Sequence, residues 1–160
     1  MKILVFSDSH SNSHNMKEAI ELHKGKCDCV IFLGDGVKDA LYMKEQYPQI
    51  PFFIVKGNCD FFASDIESEK VIYLENFKIL ITHGHLYGAK SSYVRLAYRA
   101  RELETDAVFF GHTHIPYDDV MEIGDKRIQL FNPGSIGMGG TFGVINTSGK
   151  VLVTSHGKLS

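Results

Sequence analysis

Short apolar runs that end in polar residues constrain the fold of this chain more than any other feature of its sequence. Lys2–Phe6 runs into Ser7-Asp8-Ser9-His10, and Cys29–Leu33 runs into Gly34-Asp35-Gly36. A continuous apolar run of this length is typical of a strand that is covered on both faces. An amphipathic segment follows each of these two runs, so the first part of the chain is predicted to alternate between buried strands and helices.

The two predicted helices have recognisable starts and stops. Ser11, Asn12 and Ser13 offer N-caps for the first helix, which is expected to end near Gly25, and the second is expected to continue until Pro48. A third apolar run, Phe52–Val55, leads into Gly57-Asn58-Cys59-Asp60 without a convincing helix behind it. The pattern of an apolar strand followed by a polar residue therefore occurs three times.

The second half of the chain has more strand patterns and one further helix. Val71–Leu74 and Lys78–Ile81 flank a turn at Glu75-Asn76, which predicts a hairpin leading to His83-Gly84-His85. Ser91 or Ser92 is expected to cap a third helix that continues through Leu103. The remaining predicted strands are Ala107–Phe110, Asp118–Ile123, Arg127–Phe131, Phe142–Asn146 and Val151–His156. With an antiparallel second half, these elements predict a four-layer α-β-β-α sandwich of two mixed β-sheets flanked by helices.

Length and composition set broad limits. At 160 residues we expect a single domain, 1–160, and a net charge of −2 provides no long-range field for nucleic acid or an acidic membrane. The N-terminal apolar run ends too early for a secretory signal, and the three cysteines form neither a disulfide framework nor a four-ligand zinc pattern. We therefore expect a cytoplasmic protein, and a homo-oligomer stays open.

The polar residues behind the strands form a candidate metal centre. In open α/β folds the carboxyl ends of strands meet at one crevice, so residues a hundred positions apart can become neighbours. Their carboxylate, imidazole and amide groups suit zinc, manganese, iron, cobalt or nickel. Asp35 is the best candidate for a carboxylate shared by two ions, because the glycines beside it let the backbone bend closely around a metal pair. The candidate ligands are Asp8, His10, Asp35, Asn58, His83, His112 and His114.

Each of these residues taken alone has a simpler explanation. Asp8-x-His10 is more often a loop with helix caps, Asp35 a turn residue and Asn58 an Asx-turn. Three histidines beside two carboxylates without a metal would, however, carry a desolvation cost. Outside this set, Phe61 and Phe62 are candidates for lining a substrate pocket, but they are assigned to the core because phenylalanine is more often buried.

The ordered motifs resemble the calcineurin-like metallophosphoesterase family, and in particular its small bacterial and archaeal phosphodiesterase branch. The resemblance covers nearly the whole chain and depends on Asp8-x-His10, Gly34-Asp35, Gly57-Asn58-x-Asp60, His83-Gly84-His85 and Gly111-His112-x-His114. It implies that Asp8, His10, Asp35 and His114 hold one divalent ion. It also implies that Asp35, Asn58, His83 and His112 hold a second.

The resemblance further implies a phosphoester hydrolase that acts on small phosphoesters. We expect a hydroxide between two divalent ions to attack phosphorus in line, with manganese as the first candidate metal and nickel, iron, cobalt and zinc as alternatives. Phosphodiesters are the expected substrates, while a phosphomonoesterase or a non-catalytic scaffold like the retromer subunit of this fold are the alternatives. The wider family has histidine where this chain has Cys59, so we expect Cys59 to mark the phosphodiesterase branch. His85 is a candidate substrate contact or acid, and Asp60 a candidate for fixing histidine tautomers.

Overall fold

The computed structural model describes residues 1–160 and contains two mixed five-stranded sheets and three α-helices. The helices are α1 (Ser13–Leu22), α2 (Val37–Gln46) and α3 (Val94–Glu102), and a short 3₁₀ helix spans His85–Tyr87. The strands are β1 (Lys2–Phe6), β2 (Cys29–Phe32), β3 (Phe52–Ile54), β4 (Glu69–Leu74), β5 (Phe77–Thr82), β6 (Ala107–Phe109), β7 (Tyr117–Ile123), β8 (Lys126–Asn132), β9 (Thr141–Ser148) and β10 (Val151–Lys158). None of the helices is long and apolar enough to cross a lipid bilayer.

Both sheets are mixed: the first joins the parallel strands β1, β2 and β3 to an antiparallel β9-β10 hairpin, and the second has a parallel centre with an antiparallel strand at each edge. The first sheet has the order β10-β9-β1-β2-β3, and the second has the order β4-β5-β6-β8-β7. The expectation of an antiparallel second half is confirmed for the pairs β4-β5, β7-β8 and β9-β10 but is wrong for β5, β6 and β8, which are parallel. The reason is that α3 carries the chain back across the sheet, and such a crossover places β6 parallel to β5.

Three apolar cores separate the four layers. The first lies between α1, α2 and the first sheet, the second between the two sheets, and the third between the second sheet and α3. Met16 and Met43 represent the first core, Ile31 and Phe131 the second, and Leu96 the third. This arrangement confirms the predicted α-β-β-α sandwich.

Most predicted strand ends agree with the structure to within one or two residues. The largest extension is in β9, which pairs with β10 over eight residues from Val151↔Ser148 to Lys158↔Thr141. The sequence periodicity did not show this length, because the outer strand β10 alternates between half-buried and exposed residues and contains His156 and Gly157. Hydrogen bonding to a neighbouring strand, rather than burial, therefore sets the length of this hairpin.

Candidate metal centre

Six of the seven predicted ligands meet where β1, β2, β5 and β6 end. They fall into two groups, and within each group the potential ligand atoms all lie within 4.8 Å of one another. The open group consists of Asp8, His10 and His114, and the buried group consists of Asp35, His83 and His112. The convergence predicted from the strand ends is thus present in the fold.

The two groups share one space, because each carboxylate faces imidazoles of both groups. Asp8 Oδ1 lies 3.2 Å from His114 Nε2, 3.7 Å from His10 Nε2 and 3.7 Å from His83 Nε2. Asp35 Oδ2 lies 3.3 Å from His83 Nε2 and 3.9 Å from His10 Nε2. Asp35 therefore has the position that a shared carboxylate requires, and so does Asp8.

The donor set fits divalent cations. Asp8 Oδ1 and His83 Nε2 are buried and have no hydrogen-bond partner, which is costly for polar atoms in a protein interior. Ligands that each lie about 2.1 Å from one ion are roughly 3.0–3.4 Å apart, close to the shortest separations between these side chains. Cations at this place would satisfy both buried atoms with oxygen and nitrogen ligands that transition metals accept.

A backbone carbonyl orients His83. The Nδ1–H group of His83 donates to the Leu33 carbonyl oxygen at 2.7 Å, so the unprotonated nitrogen of the neutral ring is Nε2, which faces the carboxylates. A backbone carbonyl therefore fixes the tautomer of this histidine. His83 is completely buried, so packing also holds the ring in this direction.

Charges within the buried group shift the pKa values of its members. Burial alone lowers the pKa of His83, but the nearby carboxylates of Asp35 and Asp8 outweigh it and raise that pKa. Burial raises the pKa of Asp35, yet His83 and the Cys59 N–H group outweigh it and lower that pKa. Burial and repulsion from the His83 ring when it is protonated lower the pKa of His112 to about 4, so His112 is neutral at neutral pH, as a ligand must be.

In both carboxylates, hydrogen bonds from the protein hold one oxygen, while the other faces the centre. Asp8 Oδ2 accepts from the Ser7 hydroxyl at 2.6 Å and from the His112 N–H group at 3.0 Å. Asp35 Oδ1 accepts from the Cys59 N–H group at 2.8 Å. These bonds fix the orientation of both side chains before any cation binds.

Five candidate ligands lie in the left-handed region of the backbone map. They are Asp8 (φ 56°), His10 (φ 45°), Asp35 (φ 57°), His112 (φ 70°) and His114 (φ 62°). Residues other than glycine rarely adopt this conformation, which costs on the order of 1–3 kcal/mol each and is concentrated at functional sites. The surrounding fold therefore maintains strained strand-end turns that direct these side chains toward one place.

Asp60 holds the loop of the buried group, but it does not touch a histidine ring. Its carboxylate accepts hydrogen bonds from the N–H groups of Asp35, Gly36, Val37 and Gly57, at distances of 2.8–3.0 Å. The expectation that Asp60 fixes histidine tautomers is therefore wrong. Its buried carboxylate instead compensates backbone donors that strained turns leave unpaired.

Two glycines allow neighbouring loops to approach the carboxylates closely. A methyl group on Gly57 would lie 2.2 Å from Asp35 Oδ1, and one on Gly111 would lie 1.9 Å from Ser7 Oγ and 2.8 Å from Asp8 Oδ2. No side chain fits at such distances. Glycine at these positions is thus a requirement of the centre and not only of the turns.

Asn58, Cys59 and His85 surround the centre without joining either group. The exposed Asn58 side chain donates to Cys59 Sγ at 3.6 Å, so its predicted ligation stays a prediction. Cys59 lines a cavity beside His10 and Asp35, and burial together with the Asp35 carboxylate raises the pKa of its thiol. The His85 ring lies 5.3 Å from that of His83, and its buried Nδ1 atom has no partner.

The segment Asn132-Pro133-Gly134-Ser135 supports the loops that carry the candidate ligands. The Asn132 side-chain amide donates to the Gly111 carbonyl at 2.9 Å, and the Ser135 hydroxyl donates to the Asp8 carbonyl at 2.8 Å. Both side chains are buried, so their role is structural support rather than substrate contact. The resemblance suggested a turn with a secondary substrate contact for this segment, whereas Ser7 was missed as a functional residue. Only the position of Ser7 directly before Asp8 offered a signal.

A family profile matches this chain over most of its length. The profile described as the calcineurin-like phosphoesterase superfamily domain covers residues 1–150. The match contains all of the candidate ligands from Asp8 to His114.

Curated relatives come from bacteria, archaea and a fungus. A protein named as a probable metallophosphoesterase from Bacillus subtilis is 36% identical over 137 residues, which is 85% of this chain and 75% of the relative. A phosphodiesterase from Methanocaldococcus jannaschii is 29% identical over 150 residues, covering 84% of this chain and 83% of the relative. The vacuolar protein sorting-associated protein 29 of Schizosaccharomyces pombe is 30% identical over 118 residues, covering 71% and 63% respectively.

A solved structure shows the same architecture. The crystal structure of a predicted phosphoesterase from Streptococcus pneumoniae matches with a TM-score of 0.78 and 29% sequence identity, and the match covers 97% of this chain and 87% of that one.

Proposed function

This chain belongs to the calcineurin-like phosphoesterase superfamily, and we propose that it is a two-metal hydrolase of small phosphodiesters. The observation that carries this proposal is the pair of Asp/His groups around a shared space, with the buried atoms Asp8 Oδ1 and His83 Nε2 lacking a hydrogen-bond partner. The open group would hold one cation and the buried group the other, with Asn58 as an additional ligand of the second.

The chain's own residues would prepare the site for this chemistry. When bound, two divalent cations supply an acidified water molecule, orient the phosphoryl oxygens and neutralise developing charge. Asp35 and Asp8 are held in place by backbone and hydroxyl donors, and His83 by the Leu33 carbonyl. His10 and His114 are 35% and 34% exposed, so substrate would approach from the open group.

The chemistry of Cys59 supports a diester rather than a monoester. A phosphomonoester carries more negative charge than a diester, and an additional cation beside the metals would favour it. Cys59 stands at the cavity where the wider family has histidine, and its raised pKa keeps the thiol uncharged at neutral pH. The relative named as a phosphodiesterase supports the same substrate class.

The test compares metal-free and reloaded protein. Elemental analysis of freshly purified protein would precede stripping, after which manganese, nickel, iron, cobalt and zinc would each be added back. Bis(p-nitrophenyl) phosphate and p-nitrophenyl phosphate would report diester and monoester hydrolysis. We expect turnover only with added metal, a higher rate on the diester, and about two ions per chain.

The Asp35→Asn variant provides the matched control, since it keeps the shape of a side chain placed at both groups. We expect it to lose metal and at least about 10³-fold in kcat/KM. A parent protein without metal-dependent turnover would instead support the scaffold alternative. One relative is named for vacuolar protein sorting rather than for hydrolysis, but no feature of the site favours that role here.

A further inference from the structure

A cavity of about 230 Å³ adjoins the candidate metal centre and extends beyond its ligands. His10 and Asp35 of the two metal groups contribute to its lining, and so do Lys38 and Phe62. A phosphoester held by cations at His10 and Asp35 would therefore have its substituent beside Lys38 and Phe62. The chemistry of these two side chains indicates which substituent fits.

Phe62 is an exposed aromatic ring on a firmly held segment. It is 55% exposed, in contrast to the assignment of Phe61 and Phe62 to the core, while the flanking Asp60 and Ala63 are buried. Hydrogen bonds fix the backbone on both sides of this segment. The Asp60 carboxylate accepts from the Gly57 N–H group, and the Ala63 N–H group donates to the Asp60 carbonyl at 3.1 Å. An exposed phenyl ring on a fixed backbone beside a polar cavity is a ready surface for stacking a planar group.

Lys38 brings a positive charge to the same cavity. Its Nζ atom lies 4.1 Å from the centroid of the Phe62 ring, and it takes part in none of the ion pairs of the molecule. The neighbouring carboxylate of Asp39 already accepts from the Ser9 hydroxyl at 2.6 Å and from the Ser11 N–H group at 3.0 Å. The ammonium group is thus available to an anionic group of a ligand.

We propose that Lys38 and Phe62 form a subsite for a nucleotide portion of the substrate, with the base stacked against Phe62 and a second phosphate beside Lys38. This inference rests on the proposed function, because it assigns the part of the diester beyond the phosphorus atom held at the metal centre. It identifies the substrate class as nucleotide-containing diesters, as distinct from diesters of sugars or simple alcohols.

Binding of paired ligands to the metal-loaded protein tests the role of Phe62. AMP and ribose 5-phosphate share a phosphate and a ribose, and only AMP carries a base. Since stacking of a base on an aromatic side chain strengthens binding by about 5- to 100-fold, isothermal titration calorimetry should show AMP binding tighter by a factor in that range. Phe62→Leu should bring the two affinities to within about twofold of each other.

The adjacent Phe61 supplies a matched control. It is 89% exposed but does not line the cavity, so Phe61→Leu should leave the preference for AMP unchanged. Equal effects of the two leucine variants would overturn the assignment of Phe62.

ADP and AMP test Lys38 in the same way, because they differ by one phosphate. Lys38→Gln should lower the ratio of ADP affinity to AMP affinity by about 2- to 5-fold, as expected for an exposed charge pair. Lys44→Gln removes the same charge from the same helix away from the cavity and should not change the ratio.

The outcomes separate this inference from the proposed function. Metal-dependent hydrolysis of bis(p-nitrophenyl) phosphate together with equal affinities for AMP and ribose 5-phosphate would overturn the nucleotide subsite alone. Absence of metal-dependent hydrolysis would overturn the proposed function, and the subsite with it.

Discussion

The open and buried groups of the candidate metal centre contain the same kinds of ligand in different surroundings. His83 of the buried group is completely buried, whereas His10 and His114 of the open group are about one third exposed. The Leu33 carbonyl fixes the orientation of the His83 ring. In the open group, the Nε2 atoms of His10 and His114 lie 3.4 Å from each other. The buried group is therefore organised by the protein, and the open group is organised less completely.

From these different surroundings we expect the two ions to have different roles. A site whose ligands are held by surrounding hydrogen bonds binds its ion tightly and exchanges it slowly. A site with exposed imidazoles leaves room for substrate oxygens and exchanges its ion faster. We thus expect a retained ion at the buried group and a more exchangeable ion at the open group.

Removing one histidine from each group should have the largest effect on stability and tests whether the two groups differ. In the metal-free protein, His83→Asn leaves two buried carboxylates without their partner and should destabilise the fold by about 3–5 kcal/mol. His114→Asn, at an exposed position, should change stability by less than about 1 kcal/mol. Urea denaturation gives the free energy of unfolding of both variants. Similar losses of stability would show that the two groups do not differ in their packing.

Asp60 supports the loop of the buried group, so its substitution tests how much that support contributes to stability and activity. Asp60→Asn weakens the acceptor for four backbone donors and should cost about 2–4 kcal/mol of stability and about 10- to 100-fold in kcat/KM. Asp65→Asn, on the exposed part of the same loop, is the matched control and should behave like the parent. Equal behaviour of the two variants would contradict the role assigned to Asp60.

Metal removal tests the predicted difference in exchange directly. With a chelator in excess, release of the two ions should occur in two phases that differ by about tenfold or more in rate, because the open group is more accessible. His10→Asn should remove the fast phase and leave the slow one. A single phase in the parent protein is incompatible with distinct open and buried sites.

Cys59 is expected to have the smallest effect, because its backbone serves Asp35 while its thiol only lines the cavity. Cys59→His adds a group that can donate a proton or carry charge, and it should raise the ratio of monoester to diester hydrolysis by at least about threefold. Cys59→Ser, which keeps an uncharged side chain, should leave this ratio near that of the parent. An unchanged ratio in the histidine variant would remove the argument that Cys59 favours diesters.

Much of the centre could be predicted because its signals are local. Continuous apolar runs indicated buried strands, and the polar residues behind Phe6, Phe32 and Ile81 indicated where these strands end. The structure brings six of the predicted ligands together at the strand ends, where they were expected. Asn58 followed the same logic, yet its exposed side chain contacts Cys59 and neither ligand group.

Residues whose roles depend on distant partners could not be predicted. Asp60 bonds to backbone donors 23–25 positions away, and Ser135 to the Asp8 carbonyl 127 positions away. Phe62 was assigned to the core because phenylalanine is usually buried, but the firmly held turn after Asp60 keeps it exposed. No pattern within a short window contains such information.

The order of strands and helices, the four-layer sandwich and the chemical identity of the candidate ligands follow from the sequence alone, because periodicity and residue type are properties of short segments. Only the tertiary structure decided that β6 runs parallel to β5, that the ligands divide into a buried and an open group, and that Lys38 and Phe62 share a cavity with them. These features depend on how loops from separate strands pack against one another. Burial, hydrogen-bond direction and distance arise there from contacts between residues far apart in the chain.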